Sequence, residues 1–349
     1  MIRFMKSIED INMQRVFKSV PYIKRSFLQR IFNQHPSDNS IISLNNLLAN
    51  KELLNITVSE VTDIEKHYQM NFISDYNLNI QEFFAVYWNE YLKLNREYLQ
   101  DKEQVAHLIK ILGLSKDTVQ MIQEKIGEIW FTQASNIAVS KSRLSKEDRI
   151  GLQNLQKRLN IGEKFADHIL TKAKEIMVEH FVSKIIKQNR CSPSEETDLN
   201  TMLISFEISS ARCKSIENKM APVKSFWQLA NNPLRIIVAS LINIPNNDDC
   251  FFETTNVQWL EMRGMSARTK YLEVINKGSL VLTGKCFFFA GNMKNSKLLL
   301  DRIVKYERIT NGVKLTKDKG KDIYLKFSGA DDENFHIIIT RLLNGEVPS

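Results

Sequence analysis

The sequence predicts an α+β chain: an N-terminal all-α helical repeat or bundle, then a small C-terminal β-barrel with one closing helix. Two observations carry this prediction. Between Glu97 and about Val223, apolar residues recur with a period of 47 residues and no gaps. From about Gly278 the pattern becomes short apolar runs broken by Gly, Asn and Asp turns. Helical spacing returns only at Phe335, Ile338, Ile339 and Leu342. The expected divisions are 1–95, a helical region with a basic amphipathic arm; 96–228, the repeats; and 234–345, the barrel.

The first 35 residues carry Arg3, Lys6, Arg15, Lys18, Lys24, Arg25 and Arg30 against Glu9 and Asp10. Val16, Val20, Ile23, Phe27 and Ile31 make a helical stripe, with Pro21 placed to kink that helix or begin a second one. Such a helix can lie on an anionic membrane, grip phosphates, or pack its stripe on the next domain. Arg15, Lys18, Lys24, Arg25 and Arg30 are the candidate nucleic-acid or membrane contacts. Helices are expected over 41–54, 58–68 and 79–94, the second opened by the capping box Thr57-x-x-Glu60. Phe83, Phe84, Tyr87, Trp88 and Tyr91 form an aromatic stripe at helical spacing, which reads as core.

In the repeat, Val105, Leu152 and Leu199 correspond, as do Leu108, Leu155 and Met202; Leu112, Leu159 and Phe206; and Leu114, Ile161 and Ile208. The register continues through Ile122, Ile169 and Ile216 to Ile129, Ile176 and Val223. Each unit reads as a helix, a turn at Ser115, Gly162 or Ser209, and a second helix. Ser145-x-x-Asp148 and Ser192-Pro193-x-Glu195 are helix starts. Helix pairs that share a buried face give a bundle or short solenoid. These units resemble the tellurite-resistance (TerB-like) helical domains, where an Asp-Gly-x-Ile-Ser-x-x-Glu pattern opens each helix pair and acidic residues bind metal. Here that register reads Lys141 to Asp148 and Gln188 to Glu195. The aspartate position is Lys141 or Gln188, neither of which ligates a hard cation. The resemblance therefore implies the scaffold and no metal.

Trp227 to Pro233 marks a boundary, and 251–259 is the first expected strand, followed by a basic stretch from Arg263 to Lys277. Leu280 with Leu282, and Phe287 to Phe289, make two strands around a bend at Gly284-Lys285. Strands at 303–308, 313–316 and 323–327 follow, the first pair joined by an Asn311-Gly312 hairpin. The helix after Asp331-Asp332-Glu333 closes the barrel. This segment resembles the bacterial PH-like, GRAM-type domains through Gly278, Leu280, Leu282, Thr283, Lys285, Phe289 and Gly291, and through Asn311-Gly312-Val313. It departs from them where Gly284 replaces the usual Asn and Cys286 the usual Arg. The resemblance implies binding of membrane lipid or protein.

The 349 residues carry a formal charge of +8, modestly basic and open to acidic partners. Four scattered cysteines without metal-site spacing, no secretory leader and no long apolar run predict a cytoplasmic protein, peripheral at the membrane where lipid is bound. No phosphate loop, His-Glu-x-x-His or Gly-x-Ser-x-Gly is present, so no enzyme and no cofactor are expected. Asp248-Asp249 and Asp331-Asp332-Glu333 read as a turn and a helix start. Between residues 285 and 326, eleven basic residues stand against four acidic ones. Lys285, Lys294, Lys297, Lys317, Lys319 and Lys321 are the candidate anion or lipid contacts, unless they serve only to keep strand edges apart. The expected role is a non-enzymatic intracellular adaptor, its helical repeats holding a protein partner and its PH-like domain anionic lipid or protein. The alternative is a nucleic-acid-binding accessory subunit of a bacterial defence or stress-response system.

Overall fold

The structure is a computed structural model, and it describes residues 16–31, 34–94, 99–244, 248–264 and 270–346. The chain packs as two units, Met1–Lys174 and Glu175–Ser349. The division falls inside one long helix, so the last helix pair belongs with the sheet.

The first unit contains α1 (Phe27–Ile31), α2 (Asn39–Asn50), α3 (Val58–Tyr68), α4 (Phe72–Asp75), α5 (Asn77–Leu94), α6 (Leu99–Ile111), α7 (Lys116–Val139), α8 (Lys146–Leu159) and the start of α9 (Glu163–Gln188). Its core gathers Leu44 and Leu48 of α2, Ile80, Phe84 and Tyr87 of α5, Leu108 of α6 and Ile122 of α7. Phe84 and Tyr87 of the aromatic stripe are fully buried, and Phe83, Trp88 and Tyr91 pack around them. Thr57 and Glu60 close the expected capping box at the start of α3. The expected helix through residues 16–31 forms only over α1, because Pro21 has no N–H and residues 18–25 find other partners on α2. Arg15 lies outside the described residues.

Three helix pairs follow the repeat: α6 with α7, α8 with α9, and α10 (Pro193–Ser205) with α11 (Ser210–Asn231). Ser145 and Ser192 form capping boxes with Asp148 and Glu195, and Ser115 caps α7 through the Thr118 N–H. The periodicity extends to the backbone: Gly113, Asn160 and Glu207, each 47 residues after the last, all take positive φ at the first helix's end. Ser142 and Asn189 repeat the same relation. Burial follows the register through Ile122, Ile169 and Ile216 but fails at its last position. There Ile129 and Ile176 are exposed, while Val223 is buried.

The second unit holds α10, α11 and a sheet of seven antiparallel strands: β1 (Cys250–Gly264), β2 (Lys270–Thr283), β3 (Cys286–Gly291), β4 (Ser296–Leu299), β5 (Ile303–Ile309), β6 (Gly312–Lys317) and β7 (Ile323–Lys326). Its order is β4-β3-β2-β1-β7-β6-β5, and the sheet is not closed into the expected barrel. Closure needs β4 to pair with β5, but β4 has four residues and β5 carries a register shift at Val304. Instead, α12 (Asp331–Leu343) covers one face. Phe335, Ile338, Ile339 and Leu342 pack against Phe252, Leu280, Phe287, Val313 and Leu325.

Two features of the second unit show how the helices are fastened to this sheet. Arg341 of α12 donates to the carbonyls of Leu229 and Asn232 at 2.6 Å each, satisfying acceptors at the end of α11. Glu333, only 5% exposed, meets Arg190 at 2.7 Å and also Arg308. Burial pushes its carboxyl up, and the two guanidiniums more than offset this, leaving its pKa below the usual value. The acidic triplet is therefore structural: Asp331 accepts from Thr254, and Asp332 lies 3.7 Å from Arg308.

Candidate anion-binding rim

The strand register decides which lysines share an end of the sheet. β2 meets β3 only from Gly278↔Gly291 to Leu282↔Phe287, and β1 meets β7 only at Gln258–Leu260. Residues 261–264 and 270–273 therefore pair only with each other, continuing to Gly264↔Lys270. They form a two-stranded hairpin that runs past its neighbours. From sequence, Arg263 to Lys277 reads only as a basic stretch, because an extra residue at Ile275 in β2 breaks the alternation there.

The β3–β4 turn and the β6–β7 turn open at the same end as this hairpin, on its two sides. The first carries Lys294 and leads to Lys297. The second carries Lys319 and Lys321, with Lys317 at its entry. Lys285 lies elsewhere. It sits in the β2–β3 turn at the opposite end, 3.2 Å from Asp248. Thr283, fully buried, builds that turn by donating to the Cys286 carbonyl and accepting the Cys286 and Lys285 N–H groups.

Each rim turn has its own support. The buried side chain of Asn276 holds the β3–β4 turn. Its Nδ2 donates to the Lys294 carbonyl at 2.7 Å, and its Oδ1 accepts from Lys277 and Met293 at 3.0 and 3.1 Å. Gly291 is required beside it, since a Cβ there would stand 2.1 Å from the Asn276 amide. In the β6–β7 turn, Gly320 takes φ +94° and Asp318 accepts from the Lys319 N–H.

The charges are unevenly matched. Lys321 lies 3.7 Å from Glu261, Arg263 lies 3.2 Å from Glu273, and Lys314 pairs with Glu307 and Asp322. Among the described residues, no carboxylate stands within 4 Å of Lys294, Lys297, Lys317 or Lys319. Lys297 sits 4.9 Å over the Phe288 ring instead. Between these lysines the hairpin presents an apolar face. Cross-strand partners Leu260↔Val274 and Met262↔Leu272 share one side, with Glu261↔Glu273 and Arg263↔Tyr271 on the other. Met262 and Leu272 are each 37% exposed, and Met293 of the adjoining turn is 84% exposed. The aliphatic pairs escaped sequence reading because their significance depends on the hairpin's register.

The N-terminal candidates are placed differently. Lys18 and Lys24 are exposed, the Arg25 guanidinium contacts the His35 ring, and Arg30 Nε donates to the Arg25 carbonyl at 3.3 Å. Among the described residues, no group of three or more His, Cys, Asp or Glu side chains is arranged to hold a metal, and no helix is long and apolar enough to cross a membrane. No protein-family model matches the chain, and no curated protein matches it in sequence.

Proposed function

We propose that the chain is a non-enzymatic adaptor whose C-terminal PH-like, GRAM-type region docks on an anionic membrane surface through the rim. The observation that carries this reading is the juxtaposition of Lys294, Lys297, Lys317 and Lys319 with the apolar hairpin face of Met262 and Leu272. Lysines near an anionic bilayer each contribute about 1 kcal/mol, so four supply about 4 kcal/mol. The apolar side chains add to this only if they leave water, which a free anion in solution does not offer. A rim for an isolated phosphate has no use for exposed methionines; a rim for a bilayer does.

Sedimentation with vesicles tests the reading. Binding to vesicles containing anionic lipid at low salt, with retention near zero on neutral vesicles, is the expected result. Equal binding to both kinds sinks the proposal. Steeply salt-dependent binding to DNA but not to vesicles favours the nucleic-acid alternative. The helical pairs, in this reading, hold a protein partner.

A further inference from the structure

Residues 18–25 form neither helix nor strand, and α2 holds their main chain through asparagine side chains. Asn46 Oδ1 accepts the Val20 N–H at 2.7 Å, while its Nδ2 donates to the Val20 carbonyl at 2.8 Å. Asn39 treats Ile23 in the same way, at 2.8 and 3.0 Å. Asn45 Nδ2 adds a bond to the Lys18 carbonyl at 2.8 Å.

The spacing explains why this works. Asn39 and Asn46 are seven helical residues apart, about 10.5 Å along α2. Val20 and Ile23 are three residues apart, and three residues of near-extended chain span about 10 Å. The amides therefore stand at the repeat of an extended chain running antiparallel to the helix. An amide that takes both the N–H and the carbonyl of one residue reads main chain, not side chain. Accordingly, the Val20 and Ile23 side chains remain 44% and 46% exposed. Pro21 falls between the two readers, where no N–H is needed, and it restricts the chain to few conformations. Three side chains add anchors: the Phe17 ring lies edge-on to Phe83 at 5.7 Å and parallel to Tyr87 at 6.3 Å, Ser19 Oγ donates to Asn50 Oδ1 at 2.7 Å, and the Tyr22 hydroxyl lies 3.4 Å from Ser43 Oγ.

We infer that α2 is a binding site for an extended peptide segment of a partner protein, occupied here in cis by residues 17–23. The pattern it takes is an aromatic residue followed, three and six positions later, by residues with free main-chain N–H groups. The resident's grip rests on one ring, the Ser19 and Tyr22 hydroxyls and bonds to a few main-chain groups, all of which an incoming segment of this pattern with hydroxyl side chains at the matching positions can replace. The site is separate from the sheet rim and does not depend on the membrane reading.

The test uses the full chain and a fluorescent peptide with the sequence of residues 16–25, followed by anisotropy. Val20→Pro with Ile23→Pro removes both donors and releases the cis segment, leaving every groove residue intact; Phe17→Ala is a second release variant. The released chains should bind the peptide about tenfold or more tightly than the unaltered chain, since a tethered competitor is gone. Adding Asn39→Ala and Asn46→Ala should abolish binding. Peptide N-methylated at the Val20 and Ile23 positions should lose about tenfold or more. Peptide with alanine at both positions should bind within about threefold. The inference is overturned if both released chains unfold cooperatively yet bind no peptide. It is equally overturned if N-methylation changes nothing, or if release yields a dimer exchanging segments in place of peptide uptake.

Discussion

Residues 18–31 and the hairpin end of the sheet look alike in sequence: both are basic, both carry apolar side chains, and both were candidates for an anionic partner. They are held in opposite ways. The N-terminal segment is fixed by its main chain, with Asn39 and Asn46 engaging Ile23 and Val20, and its charge is partly turned onto His35. The rim fixes its main chain inside the sheet and through Asn276, leaving four lysines without carboxylate partners among the described residues. Basic composition alone therefore predicts little. What matters is whether backbone or side chain is left over for a partner.

The largest expected effect comes from neutralising the rim. Lys294, Lys297, Lys317 and Lys319 all changed to Gln should weaken binding to anionic vesicles by about 4 kcal/mol, near a thousandfold. Lys18→Gln with Lys24→Gln should weaken it no more than about threefold. Comparable losses from both sets, measured by vesicle sedimentation, break the contrast. Next is Asn276→Ala, which strips two hydrogen bonds from the β3–β4 turn and one from the neighbouring Lys277 N–H, and should cost about 2–3 kcal/mol in urea unfolding. A loss below about 0.5 kcal/mol means the turn holds itself.

Replacing Met262 and Leu272 with Ser should cost about 1–2 kcal/mol in vesicle binding by lost apolar burial. Folding stability should change little, because both side chains are already part-exposed. An unchanged vesicle affinity sharpens the rim to a purely electrostatic device. The smallest effect is one of pH. His35 is held below its ordinary 6.5, by desolvation first and then by the charges of Arg25 and His67, and Tyr68 packs on the same ring. The neutral ring is therefore favoured in the fold. Its contribution is complete above about pH 6.5 and is lost as pH falls through the lowered value. Amide protection of Val20 and Ile23, corrected for intrinsic exchange, should drop between pH 7 and 5. Vesicle binding measured alongside should not follow it.

Much of the helical architecture was legible because its signals are local. A capping box needs only Ser145 and Asp148, or Ser192 and Glu195, three residues apart, and the structure forms both. The repeat was legible as apolar spacing, and its left-handed turns at Gly113, Asn160 and Glu207 follow the same period despite three different residues. Only glycine and asparagine there advertise the conformation; Glu207 does not. Strands β5 to β7 were legible through the Asn311-Gly312 turn. The long β1–β2 hairpin was not, since bulges break its alternation. The asparagines of α2 were visible as letters. Their function depends on a segment some twenty residues earlier in the chain lying against them.

The sequence by itself determined the capped helix starts at Thr57, Ser145 and Ser192, the three helix pairs, the Asn311-Gly312 turn and the lysines available to a partner. These depend on contacts within a few residues, where side-chain type sets backbone geometry directly. Only the tertiary structure decided that the sheet stays open, that Lys285 faces away from the other five lysines, that Glu333 is a buried tie between Arg190 and Arg308, and that an extended segment lies on α2. Each of those outcomes is fixed by register or by burial, which come from pairing residues far apart in the chain and leave no mark on either partner's local sequence.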